Sequence, residues 1–155
     1  MDLKFQVQAR IEKPISEVFD AVYNPRKLEK YFTTQSASAP LDPGTTVVWQ
    51  FADYPGEIPV QVGEVVPNKL ITFTWEAQEG GYSTKVEMQF EMFGENETLV
   101  KIAESGWQET PQGLKSSYGN CHGWTQMSCC LKVFLEHGIN LREGFYSTLL
   151  RHTAV

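Results

Sequence analysis

The stretch Gly119 to Gly138, GNCHGWTQMSCCLKVFLEHG, decides how the rest of the chain reads. Cys121, Trp124, Met127, Leu131, Phe134 and Leu135 recur at steps of three and four, which puts them on one stripe of a helix. At about 1.5 Å per residue the stretch reaches roughly 30 Å, the width of a small domain. It is the only candidate long enough to cover a sheet, and most of the chain before it reads as strand.

From residue 33 onward the apolar period falls to two, and turn signals recur about every dozen residues. They are Asp42-Pro43-Gly44, Tyr54-Pro55-Gly56, Pro67-Asn68, Gly80-Gly81 and Gly94-Glu95-Asn96. The intervening strands are Thr46 to Ala52, Ile58 to Val66, Leu70 to Trp75, Tyr82 to Phe93 and Thr98 to Ser105. Tyr82, Thr84, Val86, Met88, Phe90 and Met92 share one face of the fourth of these, and Val100, Ile102 and Glu104 share one face of the fifth. Gly63, inside a strand pattern, marks a bulge that lets the sheet bend. Gln108 to Ser117 reads as a polar bridge into the long helix.

Leu3 to Ile11 alternates cleanly, with Phe5, Val7, Ala9 and Ile11 on one face, as in a half-buried strand. Val18, Phe19, Val22 and Tyr23 then follow helical spacing from about Ile15. Asn24 as N-cap and Pro25 at the first helical position start a second short helix. Beyond Gly138, the run Phe145, Tyr146, Leu149 and Leu150 has helical spacing again, giving a C-terminal helical extension over 143–155. The fold class is α+β. A curved antiparallel sheet of six to seven strands wraps around a long C-terminal helix, with two short helices after strand one. Residues 1–155 form a single domain.

The chain has 155 residues, a formal net charge of -6 and a pI near 5.1. An acidic chain with no Lys/Arg run lacks the basic face that nucleic acid or an anionic membrane requires, so neither is an expected partner. No stretch approaches the roughly 18 consecutive apolar residues of a membrane span. The start has no apolar signal region, and three cysteines without framework spacing suit a reducing cytoplasm.

The order of elements resembles the helix-grip fold of the START-like (SRPBCC) superfamily, and within it the activator-of-heat-shock-ATPase homologues. The resemblance rests on Arg10-Ile-Glu-Lys-Pro-Ile-Ser-Glu-Val-Phe-Asp-Ala-Val, Pro25-Arg-Lys-Leu-Glu-Lys-Tyr-Phe and Glu104-Ser-Gly-Trp. His122-Gly-Trp124, Leu131 and Leu135-Glu-His-Gly-Ile-Asn-Leu-Arg142 complete it. It covers nearly the whole chain to Arg142, and departs at Tyr31, where that branch commonly has Trp. It implies a cavity between sheet and helix that holds a small hydrophobic molecule. It also brings in a chaperone as a partner, although the eukaryotic co-chaperone makes much of that contact through a separate domain, for which this chain is too short.

The expected lining of such a cavity is Phe19, Trp49, Phe51, Phe73, Trp75, Met88, Phe90, Met92, Trp124, Met127 and Leu131. Flat rings and adaptable Met side chains suit varied apolar ligands, and the bland alternative is that they fill the interior. Alternation aims the Glu104 carboxylate at the core, where it must find partners or hold a proton. His122, Gln126 and Tyr82 are its candidate partners. Glu104 and His122 are the candidate acid/base residues, against structural roles as a hydrogen-bonding and a capping residue. Cys129 and Cys130 point about 100° apart on a helix and far from Cys121, so no metal site is expected and the pair reads as small packing residues. No phosphate loop or nucleophile elbow calls for a cofactor. Three functions remain. One is a binder of a small hydrophobic or amphipathic molecule; another is a polyketide cyclase/dehydrase-like enzyme using Glu104 or His122; the last is a co-chaperone-type interaction module. The tail stripe leaves room for a homodimer.

Overall fold

The computed structural model describes residues 1–146. In chain order the elements are β1 (Leu3–Ile11), α1 (Ile15–Tyr23), α2 (Pro25–Leu28), β2 (Thr34–Ala37) and β3 (Thr46–Phe51). Then come β4 (Tyr54–Val66), β5 (Leu70–Glu76), β6 (Ser83–Gly94), β7 (Glu97–Trp107) and α3 (Pro111–His137). The strands make one curved antiparallel sheet in the order β1-β7-β6-β5-β4-β3-β2, so the first strand returns to pair with the last.

Local chemistry explains each junction. The Asn24 side chain accepts the Arg26 N–H at 3.1 Å and starts α2, with Pro25 at its first position. That proline has no N–H to give to the carbonyl of Ala21, four residues back. The buried Tyr31 hydroxyl donates to that carbonyl instead, at 3.0 Å, and its ring stacks on Phe134 of α3. Tyr31 therefore belongs to the packing between α1, α2 and α3. Burial raises its phenol well above the usual value near 10.

The bulge expected at Gly63 is present as a shift of the β4–β5 register between Val62 and Val65. A Cβ on Gly63 would lie 2.7 Å from the Thr72 hydroxyl, which instead accepts the Glu64 N–H at 2.8 Å. Glycine is needed there for a close approach.

Three boundaries differ from the sequence reading. α3 begins at Pro111, so most of Gln108 to Ser117 is helix rather than a bridge. Thr110 caps it by accepting the Gly113 N–H at 3.0 Å. The Tyr54-Pro55-Gly56 signal lies inside β4, and the turn itself falls at Ala52 and Asp53. β2 is an extra short edge strand. Residues 141–146 form turns, and the rest of the expected extension, including Leu149 and Leu150, lies outside the described residues.

α3 runs close along β1 and β7, while its backbone makes no comparably close approach to β3, β4 or β5. Ile11, Val18, Met88, Ile102, Met127 and Leu131 pack into one core cluster of buried side chains. Towards β3 and β5, Trp124 of α3 stacks on Trp75 and on Phe32, whose ring meets Trp49 edge-on.

Candidate functional site

An opening of about 680 Å³ lies where α3 stands away from the ends of β3, β4 and β5. Phe32, Phe51, Trp75 and Trp124 supply its aromatic wall, and Glu57, Glu76, Asn120, His122, Gln126 and Arg142 its polar groups. The rings hold one another. Trp75 stacks on Trp124 with centroids 5.4 Å apart and planes at 30°, Phe32 stacks on Trp124 at 5.6 Å, and Phe51 meets Phe32 edge-on at 5.1 Å.

Behind this wall lies Glu104, only 1% exposed. The strand alternation of β7 turns its carboxylate inward with Thr98, Val100 and Ile102. Its Oε1 accepts from Trp75 Nε1 at 2.8 Å, Thr84 Oγ1 at 2.7 Å and Asn120 Nδ2 at 3.0 Å, and its Oε2 accepts from Trp124 Nε1 at 2.7 Å. Trp75 and Thr84 are register partners across β5 and β6, so the sheet delivers two donors side by side. α3 delivers the other two from Asn120 and Trp124, one turn apart. All four groups donate, matching a carboxylate that only accepts. Three of the four donors also line the opening, so one buried side chain sets the orientation of much of its wall.

At the mouth, Arg142 is buried and forks onto Asp53. Its NH1 pairs with Oδ2 and its NH2 donates to Oδ1 at 2.9 Å. The guanidinium lies 4.8 Å from the Tyr146 ring centroid and 5.9 Å from that of Phe51. Tyr146 in turn donates to Gln126 Oε1 at 3.1 Å. The segment after α3 is thereby tied to the β3–β4 turn and back to the helix.

The sequence-predicted residues separate into groups. Phe51, Trp75, His122 and Trp124 meet at the opening. Phe19, Trp49, Phe73, Met88, Phe90, Met127 and Leu131 are buried in the core cluster and do not line it. Met92 is 66% exposed, because β6 runs past the core before its hairpin turn. Tyr82 and His122 do not reach Glu104. The Tyr82 hydroxyl pairs with Glu79 and accepts the Gln108 N–H, and His122 is exposed at the rim of the opening. Gln126 is likewise committed elsewhere. Of the cysteines, Cys130 packs in the core, where burial pushes its thiol up, while Cys129 is exposed and Cys121 half-buried. Among the described residues no group of three or more His, Cys, Asp or Glu side chains is placed to hold a metal ion. None of their helices is long and apolar enough to cross a membrane.

Sequence reasoning missed Phe32, Asn120, Asp53 and Arg142. Asn120 does carry a signal. It stands one turn before Trp124 on the helix, and both can face the same inward-pointing carboxylate.

A family model described as Activator of Hsp90 ATPase homolog 1-like protein matches residues 12–136. The chain belongs to that family. Its helix-grip architecture recurs in protein SSP2350 from Staphylococcus saprophyticus, at 31% identity and a TM-score of 0.74, over 92% of this chain and 96% of that one. The Aha1 dimer from Colwellia psychrerythraea is 24% identical, with a TM-score of 0.72 over 87% and 97% of the two chains. DynU16, a putative protein of the dynemicin biosynthetic locus, is 23% identical with a TM-score of 0.78. It is matched over 90% of this chain and 49% of its own. Among curated proteins no match was found. The likenesses to the last two structures establish the fold and carry no activity with them.

Proposed function

We propose that this Activator of Hsp90 ATPase homolog 1-like domain binds a small hydrophobic or amphipathic molecule in the opening between α3 and β3–β5. The supporting observation is the combination of about 680 Å³ of space with four ring walls whose indoles are tied down by a buried carboxylate. Ligand pockets typically span about 300–1,000 Å³ and are mostly apolar with a few placed polar groups. Glu104 serves here as the post that fixes the wall. It lies behind Trp75 and Trp124, so its role is positioning rather than contact with the guest.

The test uses the native protein and a cavity-blocking variant. A Cβ on Gly123, which lines the opening, meets nothing within 4 Å. Gly123→Phe therefore adds a ring at the lining of the opening from a Cβ position that meets no neighbour. Native mass spectrometry and Trp-fluorescence titration with an uncharged naphthalene probe should show binding by the native protein and at least about tenfold weaker binding by the variant. Equal affinity in both would sink the proposal. Contact with a chaperone or a second copy of the chain would use other surfaces and survive the substitution.

A further inference from the structure

We infer that the guest is an organic cation, an apolar body carrying an ammonium or similar positive group. This deepens the cavity-binding reading and rests on it. The charged residues lining the opening are Glu57, Glu76 and Arg142. Arg142 is neutralised by its fork on Asp53. No basic group among the described residues pairs with Glu57 or Glu76. Glu76 accepts the Gly81 N–H, at 3.2 Å.

The same holds for Glu104. It is 1% exposed, accepts four hydrogen bonds and has no ion-pair partner among the described residues. A buried carboxylate is normally matched by a countercharge. Among the described residues this one has none, and the two indoles and Asn120 stand between it and the opening. Both indole N–H edges point at Glu104. Trp124 is buried and already stacked on Trp75 and Phe32, so the ring surface left for the guest is that of the half-buried Trp75 and Phe51. Hydrogen bonding to an anion enriches the Trp75 ring further. A cation seated there gains attraction from those rings and from the exposed Glu57 and Glu76, which have no ion-pair partner among the described residues, with the hydrogen-bonded Glu104 carboxylate adding its charge from behind the wall. An anionic guest would meet the same three groups as repulsion. Arg142 already illustrates the preference, with its guanidinium against Phe51 and Tyr146 of this wall.

Calorimetric titration of the full chain with three matched probes tests this. They are naphthylmethyl-trimethylammonium, its uncharged tert-butyl isostere and naphthylmethyl sulfonate. The expected order is cation, neutral, anion, with the cation at least about tenfold tighter than the isostere and the gap narrowing in high salt. The double variant Glu57→Gln with Glu76→Gln should lower the cation-to-neutral ratio several-fold. Binding of the neutral isostere as tightly as the cation overturns the charge preference while leaving the cavity reading in place. Binding of none of the three removes both.

Discussion

Two regions of this domain are built from similarly apolar sequence and end differently. Around Met88, Ile102, Met127 and Leu131 the sheet and α3 close completely, and each of these side chains is 1% exposed or less. Around Phe32, Phe51, Trp75 and Trp124 an opening of about 680 Å³ persists. Aliphatic chains and Met have rotamers enough to move into a gap, and dispersion draws them there. Ring walls whose N–H groups are pinned by a carboxylate cannot swing inward without breaking hydrogen bonds. The opening is therefore maintained by polar bonds, and the closed region by packing alone.

The comparison is easiest to break by truncation. Leu131→Ala removes a fully buried side chain from the closed region and should lower stability by about 3–4 kcal/mol, as transfer and cavity terms add. Phe51→Ala deletes a larger side chain, but one half-buried beside existing space, so about 1–2 kcal/mol is expected. Urea midpoints of the two variants check this. Equal losses would mean that the opening is closed in solution.

Glu104→Gln comes next in size. The amide keeps one acceptor oxygen but turns an NH2 toward groups that are themselves donors. Losing charge-assisted bonds of this kind costs about 2–3 kcal/mol. The loss should come with a changed near-ultraviolet dichroism and a shifted Trp emission, because Trp75 and Trp124 lose their anchor. A destabilised variant with an unaltered Trp spectrum would deny Glu104 its positioning role.

The sequence carried the fold further than the site, for physical reasons visible in particular residues. Period-two alternation gave β1 and the inward face of β7, including Glu104, because sidedness is fixed by the backbone pleat. The bulge at Gly63 was equally legible. The start of α3 was not, since Gly113, Ser116, Ser117 and Gly119 all disfavour helix interiors and mask the Thr110-Pro111 start signal. Alternation put Trp49, Phe73 and Phe90 on faces that the structure buries, while Tyr82 turns to Glu79 and Gln108 instead. Which aromatic residues border space and which are buried solid depends on the distance between α3 and each strand, and no local pattern encodes that. Asp53 and Arg142 are 89 residues apart, and only the folded chain brings them together.

The smallest effect separates two glycines of the same helix. Gly123 faces open space, and alanine there should raise stability by about 0.5–1 kcal/mol by cutting the backbone entropy of the unfolded chain. Gly113 lies where the helix start folds back on its own approach, and a Cβ would come within 2.0 Å of the Gln108 carbonyl oxygen. Alanine there must push the first turn off its Thr110 cap, so the sign reverses and the variant loses stability. Thermal unfolding of the two single variants reads this directly. A loss at Gly123 as well would mean that α3 is pressed against something at the opening, and that the space between helix and strands is smaller than its walls imply.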